Sequence, residues 1–232
     1  MAIPPQKLYQ RYASAVAYIV VEKPNGDQNI GSAFHVGENV FVTARHVIEG
    51  HKIIAIGTTV SQDGRLRNDA IIGSIKSGPY FHPDNSIDVA ALVVDGLDAA
   101  VIPLGSNLDD MLDDHNFILR SVLALGYPPI PFSKYPLLVA AKAEINAVVD
   151  QYIGGHPHLV ISAMARGGFS GGPCLIEWDF AIGLITQVLI SDHKPTELGY
   201  MAVLTVEPIF VCLQHHKLIP KEQKEGWDGL WD

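Results

Sequence analysis

The feature that most constrains this chain is a repeated rhythm. Short apolar runs, rich in Val, Ile and Leu, are each closed by Gly, Pro, Asn or Asp. Runs this short, with this many β-branched residues, suit strands better than helices. A first group of six occupies 15–22, 31–36, 40–44, 52–60, 70–75 and 88–94. Asn25-Gly26 and Asp63-Gly64 mark tight turns within it. A second group of six occupies 121–127, 137–149, 158–164, 172–178, 180–190 and 200–205. Between the groups, "SNLDDMLDDHN" at 106–116 is polar and acidic and reads as a linker with one helical turn at most. The pattern predicts an all-β chain of two similar units, residues 1–108 and 109–232, although no internal sequence repeat ties one to the other. Residues 206–218 break the rhythm: Ile209, Phe210, Cys212 and Leu213, with Pro208 in the first turn, fit a short helix. The tail beyond is polar, and its end is expected to be mobile unless Trp227 or Trp231 docks.

Composition narrows the function. With 48% hydrophobic and 18% charged residues in 232, the chain is globular and not disordered. A net charge of −9 repels phosphate backbones and anionic lipid, so neither nucleic acid nor a membrane surface is an expected partner. The start has early prolines, Lys7 and Arg11 and lacks the apolar core of a signal peptide. The longest apolar run is interrupted by Gly183, Thr186 and Gln187 and falls short of the ~20 residues of a membrane span. A soluble cytoplasmic protein is therefore expected. Cys174 and Cys212 read as reduced thiols, with a single bridge between them as the alternative. His156 with His158, and His215 with His216, have no Cys or acidic set around them that would make a zinc site. No metal or cofactor is expected, and no phosphate loop is present.

Three places carry candidate chemistry. In "ARGGFSGGPCL" (165–175), Ser170 sits among four glycines and a proline. Such a stretch is either a plain turn or a display of Ser170 as a nucleophile, and alone it leaves both open. In "NVFVTARHVIEG" (39–50), His46 follows the end of an apolar run, as a core-edge residue or as an imidazole held toward a cleft. In "NSIDVAALVV" (85–94), Asp88 opens an apolar run, where a partly buried carboxylate needs a donor. That donor is a histidine N–H or the loop backbone, while Asp84 lies in a turn and is expected to be solvated. Together they make one mechanism. A serine hydroxyl needs a base, the base needs an anion to fix its tautomer, and an acylation intermediate needs outward-pointing N–H groups. Gly168 and Gly171 permit the tight path that exposes such groups.

"TARHV" (43–47), "DVAAL" (88–92) and "GFSGGP" (168–173) resemble the motifs of the trypsin-like, chymotrypsin-fold serine peptidases. With "GSAFHV" (31–36) and "LALGYPP" (123–129), the look is nearest to bacterial HtrA-type peptidase domains, over roughly 14–215. The resemblance implies two six-stranded antiparallel β-barrels with a cleft between them and a short C-terminal helix. It implies Ser170 as nucleophile, His46 as base and then acid, Asp88 as its orienting anion, and the Gly168 and Ser170 N–H groups as oxyanion hole. It implies a substrate pocket lined by Met164, Thr186, Gln187 and Val188. No acid stands at Met164, so small or aliphatic residues are expected before the scissile bond of a protein or peptide substrate. Phe169 replaces the aspartate that the trypsin subgroup uses for zymogen activation, so something else must hold the oxyanion loop. Arg166 in that loop is a candidate for a carboxylate partner or is solvated. The PDZ domain and signal peptide common in HtrA-type proteins have no counterpart in these residues. Two further expectations stay open: a latent enzyme switched on by a protein partner, and a peptidase fold that binds peptides or partners without cutting them.

Overall fold

In the computed structural model, residues 2–106, 108, 117–149, 156–164, 167–186, 190–191, 194–195 and 200–224 are described. Seven strands form an antiparallel sheet: β1 (Val16–Glu22), β2 (Gln28–Gly37), β3 (Val40–Thr43), β4 (Lys52–Val60), β5 (Leu66–Ile72), β6 (Ser74–Phe81) and β7 (Ala90–Asp95). Their order is β5-β4-β1-β2-β3-β7-β6. Then come β8 (Ser121–Gly126), β9 (Val139–Val149), β10 (His158–Ile161), β11 (Pro173–Ile176), β12 (Phe180–Ile185), the two-residue strands β13 (Ile190–Ser191) and β14 (Lys194–Pro195), and β15 (Met201–Thr205). β8 to β12 and β15 close a barrel in the order β10-β15-β12-β11-β8-β9, and β13 pairs with β14 apart from it. The architecture is the chymotrypsin-like, all-β one expected.

One run divides. Residues 70–75 read as one strand in the sequence, but the chain bends at Gly73, which ends β5 and begins β6. A Cβ at Gly73 would press into Val94 and Leu97 at 2.7 and 2.9 Å. The missing side chain lets the backbone pass beneath them, and the sheet has seven strands where the sequence suggests six runs.

The described residues also hold four short α-helices, α1 (Pro5–Tyr12), α2 (Arg45–Ile48), α3 (Glu207–His215) and α4 (Lys221–Lys224), and a 3-10 turn at Ala13–Ala15. α3 falls within the helix expected at 206–218. α1 is not apparent in the sequence, although proline in its first turn and Leu8 and Tyr12, one turn apart and both buried, account for it. The two ends of the chain cross over. α1 precedes the sheet yet leans on the barrel: the Ile3 N–H donates to the Glu177 carbonyl at 2.7 Å, the Tyr12 hydroxyl donates to Asp179 at 2.9 Å, and Arg11 pairs with Asp179. Conversely, α3 follows the barrel yet brings His216 to the Phe81 carbonyl at the end of β6, at 2.7 Å. The polar tail is docked as far as Lys224. Gln223, only 3% exposed, donates to the carbonyls of Val36 (2.7 Å) and Ile102 (2.9 Å) and accepts from the Leu104 N–H (2.9 Å). Its amide satisfies three backbone groups that burial would otherwise leave unpaired, which ties the first part of the tail to the sheet. Trp227 and Trp231 lie outside the described residues, as does most of 106–116.

A single apolar core runs through sheet and barrel, from Leu8 to Leu213. Tyr127, fully buried, joins the two: its hydroxyl lies 3.1 Å from Thr58 Oγ1 and its ring meets Tyr18 edge-on. Cys174 and Cys212 are both free and buried, and burial raises both thiols, Cys212 to about 12. They are packing thiols.

The core also sets a pH dependence. His35 stacks on Phe41 and its Nδ1 donates to the Ala100 carbonyl at 2.9 Å, which leaves Nε2 buried with no hydrogen-bond partner among the described residues. Burial pushes its pKa down, and it does the same to His82, His156 and His158. Unfolded imidazoles titrate near ~6.5. Below that value the unfolded chain binds protons that the folded chain still refuses, so stability falls as pH drops through this window. Melting temperature should hold above pH ~6.5 and decline below it, and His35→Gln should flatten that decline. A melting temperature that rises on acidification would contradict the assignment.

Candidate active site

β3 and β7 pair antiparallel with Thr43 opposite Ala90. The chain therefore leaves β3 and enters β7 at the same end of the sheet. From β3 it passes through extended Ala44 into α2, a single turn anchored by buried Val47 and Ile48. Val47 seats against Gly31, where a Cβ would lie 2.5 Å from its Cγ1. His46 is thus carried on a fixed turn with its side chain 29% exposed. Into β7 the chain arrives through Ile87 and Val89, both buried, with Asp88 between them. Asp88 lies just before the strand and uses both oxygens on one residue. Oδ2 is 2.7 Å from His46 Nδ1, and Oδ1 accepts the His46 backbone N–H at 2.9 Å. Ring and backbone of His46 are therefore held by the same carboxylate. Asp84 is exposed and accepts from the N–H and hydroxyl of Ser86, a closed turn, as expected.

Arg45 braces this corner. Its guanidinium lies 4.8 Å over the Phe81 ring, contacts the His82 carbonyl at 3.4 Å and pairs with Glu49 at 2.6 Å. Those contacts tie the start of α2 to the segment that leads to Asp88.

The Ser170 loop meets this corner from the barrel side. Gly171 N–H donates to the Ile185 carbonyl (2.7 Å), Ile185 N–H to Gly172 (2.8 Å), and Gly172 N–H to Phe169 (2.8 Å), so the loop is stitched to β12 and folded on itself. Gly168 and Gly171 both have positive φ, +94° and +84°. Each also meets a wall. A Cβ on Gly168 would come within 2.5 Å of the Tyr127 carbonyl and of Pro128. A Cβ on Gly171 would overlap the Ser32 carbonyl and Thr43 Oγ1 and reach 2.9 Å from Ala44 N. Ser170 is thereby brought beside the strand end that leads, two residues beyond Ala44, to His46. Phe169 is turned inward, 3% exposed, with its ring against Gly126. Among the described residues, no group accepts a hydrogen bond from the Gly168 or Ser170 N–H.

Of the pocket residues, Thr186 is buried, with its N–H donating to the Ala202 carbonyl at 3.1 Å and its hydroxyl to the same oxygen at 3.4 Å. Met164 is 61% exposed beyond β10. Gln187, Val188 and Arg166 lie outside the described residues. Among the described residues, no three His, Cys, Asp or Glu side chains are grouped to hold a metal ion, and no helix is long and apolar enough to cross a membrane.

A family profile described as a trypsin-like peptidase domain matches residues 31–184, a span that contains His46, Asp88 and Ser170. The chain belongs to the trypsin-like peptidase family. Solved structures agree on the fold. The active form of the Rv3671c protease from M. tuberculosis superposes with a TM-score of 0.64 at 18% identity, over 91% of this chain and 83% of that one. The HtrA-type protease AlgW, solved with a tripeptide, gives 0.64 at 20% identity, and this chain spans 95% of its own length but 65% of AlgW's. A serine endoprotease from Yersinia pestis gives 0.61 at 21% identity, over 96% and 69%. No curated protein matches the chain. By family and fold this trypsin-like peptidase is a serine-protease hydrolase.

Proposed function

We propose that this trypsin-like peptidase cleaves peptide bonds through Ser170, His46 and Asp88. The reading is carried by the double hold of Asp88 on His46 at the strand end where the Ser170 loop seats. Ser170 Oγ attacks the substrate carbonyl as His46 Nε2 takes its proton. Asp88 keeps the proton of the ring on Nδ1 and stabilises the imidazolium. The negative oxygen of the tetrahedral intermediate is met by the N–H groups of Gly168 and Ser170, which are otherwise uncommitted among the described residues. His46 returns the proton to the departing amine. A water then attacks the acyl carbon as His46 takes its proton, and His46 passes that proton to Ser170 Oγ as the bond to the acyl group breaks. Met164, Thr186, Gln187 and Val188 line the pocket before the scissile bond and select small or aliphatic side chains. The natural substrates are proteins or peptides, and in a latent form of the enzyme a protein partner would serve as activator.

A fluorophosphonate probe should modify folded protein at Ser170, with the site mapped by peptide mass spectrometry. Labelling seen only in the presence of cell lysate would identify the latent, partner-switched form. No labelling of Ser170 in either condition overturns the reading. A peptide library cleaved by an unlabelled portion of the same preparation should return small aliphatic residues before the cleaved bond, and a strict Lys or Arg preference would reject the pocket assignment.

A further inference from the structure

Phe169 stands where a charged residue would otherwise fasten the oxyanion loop, and the loop must be fastened by something else. We propose that Ser32, in the middle of β2, is the positioning residue that holds it in its catalytic shape. This inference rests on the reading of Ser170 as nucleophile.

Ser32 is fully buried, and every polar group it has is committed. Its hydroxyl accepts the Tyr127 N–H at 2.9 Å, which leaves its single proton for the Gly168 carbonyl at 2.6 Å. Its N–H donates to the Ser170 carbonyl at 2.9 Å. Its own carbonyl accepts the Thr43 hydroxyl at 2.7 Å, just ahead of Ala44, Arg45 and His46. One residue therefore grips the loop at Gly168 and at Ser170 and grips the strand that leads to the base. β2 is an inner strand, with Ser32 opposite Tyr18 of β1, so the grip is mounted on rigid backbone.

The bond to Gly168 matters most. Gly168 has the freedom of a glycine at φ +94°, and its N–H is a proposed oxyanion donor. The N–H and carbonyl of Gly168 lie in successive peptide planes, so a flip of the preceding plane alone would leave this bond intact, but a rotation of Gly168 as a unit that swings the N–H out of the cleft drags its carbonyl off the Ser32 hydroxyl. The carbonyl would then be left buried and unpaired, which opposes the rotation. The hydroxyl thus acts through Gly168 and never touches substrate.

The test compares wild type with Ser32→Ala. Loss of one oxyanion donor lowers kcat by roughly 10²–10³-fold, and a loosened donor should cost less, roughly 10–100-fold. The variant should lose that factor in kcat and in the rate of fluorophosphonate labelling, with KM nearly unchanged. A peptide boronate, which forms a tetrahedral adduct on Ser170, should lose affinity by a similar factor, while a product peptide should bind as before. A merely structural role would lower the melting temperature and leave the kcat of folded protein and the boronate-to-product ratio alone, and that result overturns the proposal. If Ser32→Ala fails to fold, Ser32→Cys decides: its weak thiol donor should give a several-fold loss of kcat in folded protein, and wild-type kcat would overturn the proposal. Wild type that neither labels nor turns over would instead remove the reading on which this rests.

Discussion

Asp88→Asn should lower kcat by about 10⁴-fold while the folded state survives nearly intact, the loss seen when a triad aspartate becomes an amide. The reason here is a count of donors. His46 offers Asp88 two N–H groups, one from the ring at 2.7 Å and one from the backbone at 2.9 Å, and the carboxylate meets each with an oxygen. Asparagine has a single acceptor oxygen and an NH₂ group. It must turn that NH₂ toward one of the two donors. The backbone N–H cannot change its role, but an imidazole can. The lower-cost outcome keeps the amide oxygen on the backbone N–H and presents NH₂ to the ring. The ring then shifts its proton to Nε2, leaving Nδ1 to accept. The Nε2 that should take the Ser170 proton now carries one of its own, and the base is lost without disturbing α2. Nitrogen chemical shifts of His46 should report the inverted tautomer, with a melting temperature close to wild type. A kcat within tenfold of wild type would sink the assignment of Asp88 as orienting anion.

The sequence carried some of this arrangement and hid the rest for identifiable reasons. Local signals were legible: apolar runs between Gly, Pro and Asn turns lie where the strands lie, and Pro208 with its apolar neighbours lies in α3. The need of Asp88 for a donor was legible too, because a carboxylate at the mouth of an apolar strand cannot stay unpaired. That both donors come from His46 was not, because it depends on the register that sets Thr43 opposite Ala90. The same limit explains Gln223 and Ser32. A glutamine in "PKEQKEG" and a serine in "GSAFHV" look like ordinary surface or strand residues. Their meaning comes from carbonyls more than a hundred positions away, such as Val36 for Gln223 and Gly168 for Ser32. Gly73 shows the converse. Its local sequence favours a continuous strand, yet the chain changes partner there, from β4 to β7, beneath Val94 and Leu97.

Gly171→Ala should be the most damaging of the methyl additions to this loop region, and three glycines separate the causes. Gly167 has no positive φ and, among the described residues, nothing within 4 Å of an added Cβ, so Gly167→Ala should be near neutral. Gly50 has φ +71° with open space around it, so Gly50→Ala should cost only the left-handed conformation, about 1–2 kcal/mol. Gly171 has both burdens: φ +84° and a Cβ position that overlaps the Ser32 carbonyl and Thr43 Oγ1. Neither obstacle is a flexible side-chain end. The carbonyl belongs to an inner strand, and the Thr43 hydroxyl is held on that same carbonyl at 2.7 Å. Overpacking against such a wall adds about 1–3 kcal/mol, for a total of about 2–5 kcal/mol. At about 2–4 °C per kcal/mol for a chain of this size, the melting temperature should fall by roughly 4–20 °C. Part of the strain can be relieved if the loop backs away from β3, which moves Ser170 away from His46. Fluorophosphonate labelling of the folded variant should therefore fall further than its folded fraction does. In Gly50→Ala the labelling should track the folded fraction alone. A Gly171→Ala protein that melts within a degree of wild type would mean that the loop does not rest on β3, and the seat proposed for Ser170 would have to be abandoned.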